Sequence, residues 1–212
     1  MASKITAFPL EKIGSVEDYL DLYAGFLRQG LESVDRGALK NVSRELAEVY
    51  RLRRTVWVCG NGGSAAISDH FSCDHLKGVS TNTALRPRVL SLSSNASLLT
   101  AIGNDLSFDR IFEYQLASLA QPGDVLIAVS SSGNSPNIIR AVNVAKSLGL
   151  RTIGFVGFDG GELSKIADHA LHVKIANYGV VEDVHQSLMH VLAQFIRLTA
   201  LDDGVKPSAT KF

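Results

Sequence analysis

After residue 54 the chain carries five short apolar runs, at 55–59, 89–92, 125–129, 152–156 and 171–175. Each is nearly continuous in hydrophobic residues rather than alternating, the pattern of a parallel strand covered on both faces. Between them, apolar positions recur at helical spacing over 64–77, 109–120, 135–148 and 182–201. This alternation predicts an α/β fold, a doubly wound parallel sheet with helices on both sides. Gly149, just after the third of these helices, reads as its C-terminal cap.

Two helical patterns precede the first strand. Ser15-Val16-Glu17-Asp18 has the form of a capping box, and Val16, Tyr19, Leu20, Tyr23, Phe26, Leu27, Leu31 and Val34 follow at helical spacing. A second stripe runs through Leu39, Val42, Leu46, Val49 and Tyr50. Both apolar faces require a partner, either the sheet or another copy of the chain. Residues 1–14 read as a loose N-terminal arm and 202–212 as a flexible tail. With no repeat or linker between them, 15–201 forms one domain.

Composition narrows the function classes. The 212 residues carry 21 basic and 21 acidic side chains. A formal net charge of zero gives no bulk attraction for nucleic acid or a membrane surface. No apolar run reaches the roughly 20 residues that span a bilayer, and the N-terminus lacks the apolar core of a signal peptide. Two cysteines, Cys59 and Cys73, make no disulfide framework and are expected as small core fillers in a reducing compartment. These features predict a cytoplasmic protein.

In open α/β sheets, ligands bind beyond the carboxyl ends of the strands, and two such ends are unusual here. Ser130-Ser131-Ser132-Gly133-Asn134-Ser135 follows the third strand and leads into Pro136 at the start of a helix. Hydroxyls and unpaired backbone N–H groups at a helix N-terminus make an anion site suited to a phosphate monoester. A capping turn alone needs only one or two such residues. Gly60-Asn61-Gly62-Gly63-Ser64 follows the first strand but matches neither nucleotide-loop spacing. It shows only that backbone approaches something closely.

His70 and Asp74 are four apart and share a helical face. Glu182, His185 and His190 cluster at the start of the last helix. Two imidazoles and two carboxylates suit a zinc site; they equally suit polar residues on partly exposed helix faces. Glu182 and His190 are separated by about 12 Å of helix rise. They meet one ion only if Glu182 precedes the helix or if the two come from different subunits. His169 and His172 read as structural residues flanking a strand.

Four motifs occur in order: GNGGSAAISDH at 60–70, IGNDLSFDRIF at 102–112, SSSGNSPN at 130–137 and VEDVHQSLMH at 181–190. In this the chain resembles the phosphoheptose isomerases, sugar isomerase (SIS) domain enzymes that interconvert sedoheptulose 7-phosphate and an aldoheptose 7-phosphate. The resemblance spans nearly the whole chain and implies a single SIS domain, flavodoxin-like with extra N-terminal helices. It also implies a homotetramer with active sites at subunit interfaces. Asn61, Gly62, Gly63 and Ser64 would line the sugar-phosphate pocket; Ser130, Ser131, Ser132 and Ser135 would hold the phosphate. Asn104 and Asp105 would contact sugar hydroxyls. Zinc and acid–base roles would fall on His70, Asp74, Glu182 and His190. The family usually has Glu at position 74 and Gln at position 182, so either Asp74 or Glu182 stands as the base, with His190 as its partner. The resemblance also covers relatives that associate with a replication initiator and need no metal or acid–base set. A sugar-phosphate sensor without turnover is the other rival class.

Overall fold

The computed structural model describes Thr6–Ala7 and residues 12–207. The elements in chain order are β1 (Thr6–Ala7), α1 (Val16–Ser33), α2 (Arg36–Arg51), β2 (Thr55–Gly60), α3 (Gly63–Cys73), β3 (Arg88–Ser91), α4 (Ala96–Asp105), α5 (Glu113–Leu119), β4 (Val125–Ser130), α6 (Pro136–Ser147), β5 (Arg151–Val156), α7 (Leu163–Ile166), β6 (His169–His172), β7 (Ile175–Ala176) and α8 (Tyr178–Thr199). A π-helical turn, Asp74–Gly78, extends α3.

The central sheet is fully parallel in the order β3-β2-β4-β5-β6. This is the expected five-stranded, doubly wound arrangement. Successive side chains of a strand face opposite layers, and the two cores divide accordingly. Val56, Val58, Val125, Ile127 and Phe155 pack with α1, α2 and α8 residues such as Phe26, Leu46 and Leu188. Trp57, Cys59, Leu126 and Ala128 pack on the other face with Phe112, Leu116, Ile138 and Ala141. Asp124 ties β2 to the start of β4: its carboxylate accepts from Thr55 N–H at 2.9 Å and from Trp57 Nε1–H and Gln121 N–H at 3.0 Å.

Several boundaries differ from the sequence-based expectation. The fifth strand begins at His169 rather than at 171, so His169 and His172 form its two ends, and Ile175–Ala176 separates as β7, pairing with Thr6–Ala7. An unexpected helix, α4, is capped by Asn95, whose side chain accepts from Leu98 N–H at 3.0 Å. The expected helix over 109–120 contracts to α5. Cys59 is buried as anticipated, but Cys73 is exposed on α3 and is no core filler. Ser15 caps α1 by accepting from Asp18 N–H at 3.1 Å. Apart from Thr6–Ala7 and 12–14, the N-terminal arm lies outside the described residues, as does the tail beyond 207. Leu201 bridges to Thr83, and Asp202 N–H donates to the Asn82 carbonyl. Among the described residues, no helix is long and apolar enough to cross a membrane.

Two histidines are built into the core. His75 stacks flat on Phe71, ring centroids 3.9 Å apart, and shares a 2.6 Å hydrogen bond with the Tyr50 hydroxyl. Burial pushes its pKa down to about 3. His185 Nε2–H donates to the Val156 carbonyl at 3.2 Å, and burial pushes that ring down to about 4. In the unfolded chain both titrate near 6.5. Above that pH neither state is protonated and the full stability is present. Below it the unfolded chain takes up protons that the folded core refuses, so stability falls toward the folded values. Between pH 7 and pH 5 each histidine is expected to remove about 2 kcal/mol of stability. Urea midpoints measured across that window check this; a flat midpoint contradicts it.

Candidate active site

The site is built where the carboxyl ends of β2 and β4 open between α3, α6 and α8. The β4 loop is held in shape before anything binds. Gly133 N–H donates to the Ser130 carbonyl at 3.0 Å and lies 3.2 Å from the Ser130 hydroxyl. Gly157 N–H donates to the Ser131 carbonyl at 2.8 Å, and Asn134 accepts from Glu162 N–H at 2.9 Å. Pro136 then opens α6 at a position where no N–H is needed.

A cavity of about 180 Å³ lies over this loop, lined by Asn61, Ser64, the four serines Ser130, Ser131, Ser132 and Ser135, and on the far wall Tyr178 and Glu182. Ser131 Oγ is buried and has no hydrogen-bond partner among the described residues. A buried hydroxyl left unmatched costs free energy, and this one lines the cavity. Asn61 and Asn137 exchange two amide hydrogen bonds, each 2.9 Å, which lock the β2 turn to the first turn of α6. Asn137 lies within the SSSGNSPN motif, where its position alone assigns it no role. Only the crossing of the two loops reveals one.

Gly62 opens α3 at φ +55, and Gly63 follows with its Cα against the Glu182 carboxylate; a Cβ at Gly63 would overlap that carboxylate. Burial, and secondarily the Asp183 charge, holds Glu182 above the usual carboxylate range. Asn104 and Asp105 are exposed at the end of α4, hydrogen-bonded to each other at 2.8 Å, and are not part of the cavity lining.

Further along the same pair of helices, three predicted residues converge. His190 Nδ1 lies 2.8 Å from Asp74 Oδ2, and His70 Nε2 lies 3.3 Å from Asp74 Oδ1. One donor atom from each of His70, Asp74 and His190 falls within 4.8 Å of the others, a spacing that fits a single divalent ion. Two imidazoles and a carboxylate are also an ordinary zinc donor set. Asp74 sits where α3 passes into the π-helical turn, a local change of register typical of functional positions.

Glu182 is not in this group. The sequence places the start of the last helix at 182, but α8 begins four residues earlier at Tyr178, capped by Asn177, which accepts from Val180 N–H. Glu182 therefore sits inside the helix and faces the serine-loop cavity. The residue that meets the cluster is Gln186, one turn before His190. Its amide nitrogen lies 2.8 Å from His70 Nδ1 and 3.1 Å from His190 Nε2. Its spacing of four from His190 was the available sequence signal.

The loops after β2 and β4 meet at the switch point of a parallel sheet, where open α/β folds bind ligands, and residues 18–157 match the SIS domain family. Within that class the similarity is closer. The phosphoheptose isomerase of Maridesulfovibrio salexigens is 39% identical over 156 residues, 74% of this chain and 76% of that protein. That of Trichlorobacter lovleyi is 34% identical over 85% of this chain and 89% of its own. The phosphoheptose isomerase GmhA of Neisseria gonorrhoeae superposes with a TM-score of 0.77 at 30% identity, covering 85% of this chain and 97% of that one. The chain belongs to the phosphoheptose isomerase family; it is a sugar-phosphate isomerase.

Proposed function

We propose that the protein interconverts sedoheptulose 7-phosphate and D-glycero-D-manno-heptose 7-phosphate through an enediol, with zinc at the His70–Asp74–His190 cluster. The observation that carries this reading is the common track of α3 and α8. Ser64 and Glu182 border the serine cavity, while His70, Asp74 and His190 stand further along the same two helices. From Ser64 to His70 is about 9 Å of helix rise, and from Glu182 to His190 about 12 Å. A phosphate held by the serines would thus leave the far end of an extended sugar beside the acid–base cluster.

The chemistry moves one proton between adjacent carbons. A carboxylate removes a C1 proton from the ketose, and the C2 oxygen is protonated to give the enediol. The O1 proton then leaves as C2 receives one, which yields the aldose with no net gain or loss. Asp74 serves as the base, with Glu182 as the alternative on the cavity wall. His190, bonded to Asp74, exchanges the oxygen-bound proton. The serine loop lends phosphate binding energy to orientation. When bound, zinc would polarise the carbonyl; His70, Asp74 and His190 would hold it.

The exposed apolar side chains of α8, Val191, Phe195 and Leu198, and of α1, Val16 and Leu20, support a homotetramer. Asn104 and Asp105 are proposed to meet sugar hydroxyls across a subunit boundary, which their exposure suits. No feature of the charge balance calls for a nucleic-acid or membrane partner.

The test is incubation with sedoheptulose 7-phosphate, with and without a chelator, with product followed by NMR. Aldoheptose formation that the chelator suppresses is expected. Binding with no turnover and no exchange of carbon-bound hydrogen with solvent would favour a sensor instead. The orphaned hydroxyl gives a sharper prediction. Ser131→Ala removes a group with no hydrogen-bond partner among the described residues, so the urea midpoint should hold or rise slightly. Affinity for the sugar phosphate should nevertheless fall about 10-fold or more, the value of a hydrogen bond to a charged group. Unchanged affinity would remove Ser131 from the phosphate site.

A further inference from the structure

We propose that Gln186 is a positioning residue that fixes the tautomers of both His70 and His190 and thereby sets the metal affinity of the cluster. The affinity half of this inference rests on the zinc reading above; the tautomer half does not.

The four side chains form a closed cycle. Asp74 faces His70 Nε2 and His190 Nδ1, while the Gln186 amide nitrogen faces the two remaining ring nitrogens, His70 Nδ1 and His190 Nε2. An amide NH2 group has two hydrogens and no acceptor capacity. Contact with it therefore requires both facing nitrogens to accept. In the neutral rings the protons must then lie on His70 Nε2 and His190 Nδ1, the two nitrogens that face the Asp74 carboxylate. The Asp74 carboxylate as acceptor and the Gln186 amide as donor thus select the same tautomer in two imidazoles on different helices.

The consequence for a metal is direct. The nitrogens that share a point with the Asp74 carboxylate are the ones the amide keeps protonated, so the metal-free network caps its own donor atoms. An imidazole that gives one nitrogen to a metal carries its proton on the other, and that N–H requires an acceptor. Gln186 can meet this demand by turning its amide so that Oε1 faces both rings. A side chain that presents either a double donor or a double acceptor matches both states of the site. Glutamate at this position would match only the loaded one, and leucine neither. The side chain is only partly buried on the surface of α8, so both substitutions leave the core intact.

The experiment is long-range ¹H–¹⁵N NMR of the histidine rings in metal-free protein near pH 8, together with zinc affinity from competition against a chelator. Wild type should show the proton on Nε2 of His70 and on Nδ1 of His190. In Gln186→Leu the His190 signal should move toward the other tautomer, and zinc affinity should fall about 10- to 100-fold, the range for loss of an outer-shell partner. In Gln186→Glu a second carboxylate competes with Asp74 for the ring protons, so the single wild-type tautomer should be lost, and zinc affinity should exceed that of Gln186→Leu by the same range. Wild-type rings already protonated on the sides that face Gln186 would overturn the proposal, as would a leucine variant with unchanged tautomers and affinity. Wild-type tautomers as stated with no zinc uptake would overturn the metal reading and the affinity half, while supporting the tautomer half.

Discussion

His190→Ala and Asp74→Asn are each expected to lower turnover of the ketose phosphate by at least about 100-fold, the lower range for loss of a positioned acid or base, while affinity for the phosphate end stays within a few fold. The two side chains are 2.8 Å apart and joined by a hydrogen bond at His190 Nδ1. Because they act as one unit, the double variant should lose little more than either single one. Asp74→Asn keeps the volume and removes the charge, so a loss there is chemical rather than structural. Glu182→Gln separates the two candidate bases. Glu182 lines the cavity next to the serines, not the cluster, so its loss should reach the same magnitude only if it is the base. Near-wild-type turnover in both His190→Ala and Asp74→Asn, measured by steady-state kinetics, would refute the mechanism.

Gly133→Ala is expected to cost about 3–5 kcal/mol of stability and to abolish measurable phosphate binding. Two effects add at this position. Gly133 has φ +66, which an L side chain rarely adopts, and a Cβ there would overlap the Gly160 carbonyl oxygen. The positive φ alone costs about 1 kcal/mol. The overlap is with backbone, which cannot rotate away, so the serine loop must separate from the 157–161 turn. Gly204→Ala supplies the control. That residue also has a positive φ, +83, but nothing lies within 4 Å of its missing Cβ. It should therefore cost only about 1 kcal/mol. Denaturant midpoints and phosphate titration of the two variants isolate the overlap; equal costs would show that the loop tolerates displacement.

Much of the architecture was legible because local pattern and tertiary role agree. The runs at 55–59, 125–129 and 152–156 lie within β2, β4 and β5, each one residue longer than expected. Continuous apolar character has few alternatives to a covered parallel strand. The serine loop stood out because hydroxyl density at a helix start exceeds the needs of a cap. Helix α4 has a weak sequence pattern because its apolar stripe, Leu98, Leu99 and Ile102, spans little more than one turn. Its clearest local signal is Asn95, a favoured N-cap residue. The start of α8 was misplaced for a related reason: Asn177 is a good N-cap, but Gly179 follows it and weakens the helical pattern.

That four-residue shift matters most for the site. Spacing along the chain determines which residues share one face of one helix, and so it paired His70 with Asp74 and placed a serine cradle at the edge of the sheet. It also showed that Glu182 and His190 are too far apart to meet within one helix. Which face of α3 turns toward which face of α8 depends on where each helix begins and how both settle on the sheet. Those are non-local packing choices that no window of sequence contains. Packing sent Glu182 to the cavity wall, joined Asn61 to Asn137, and brought Gln186 against two imidazoles. The residue types, and hence the available chemistry, were determined by sequence; the partner each group acquired was decided by the fold.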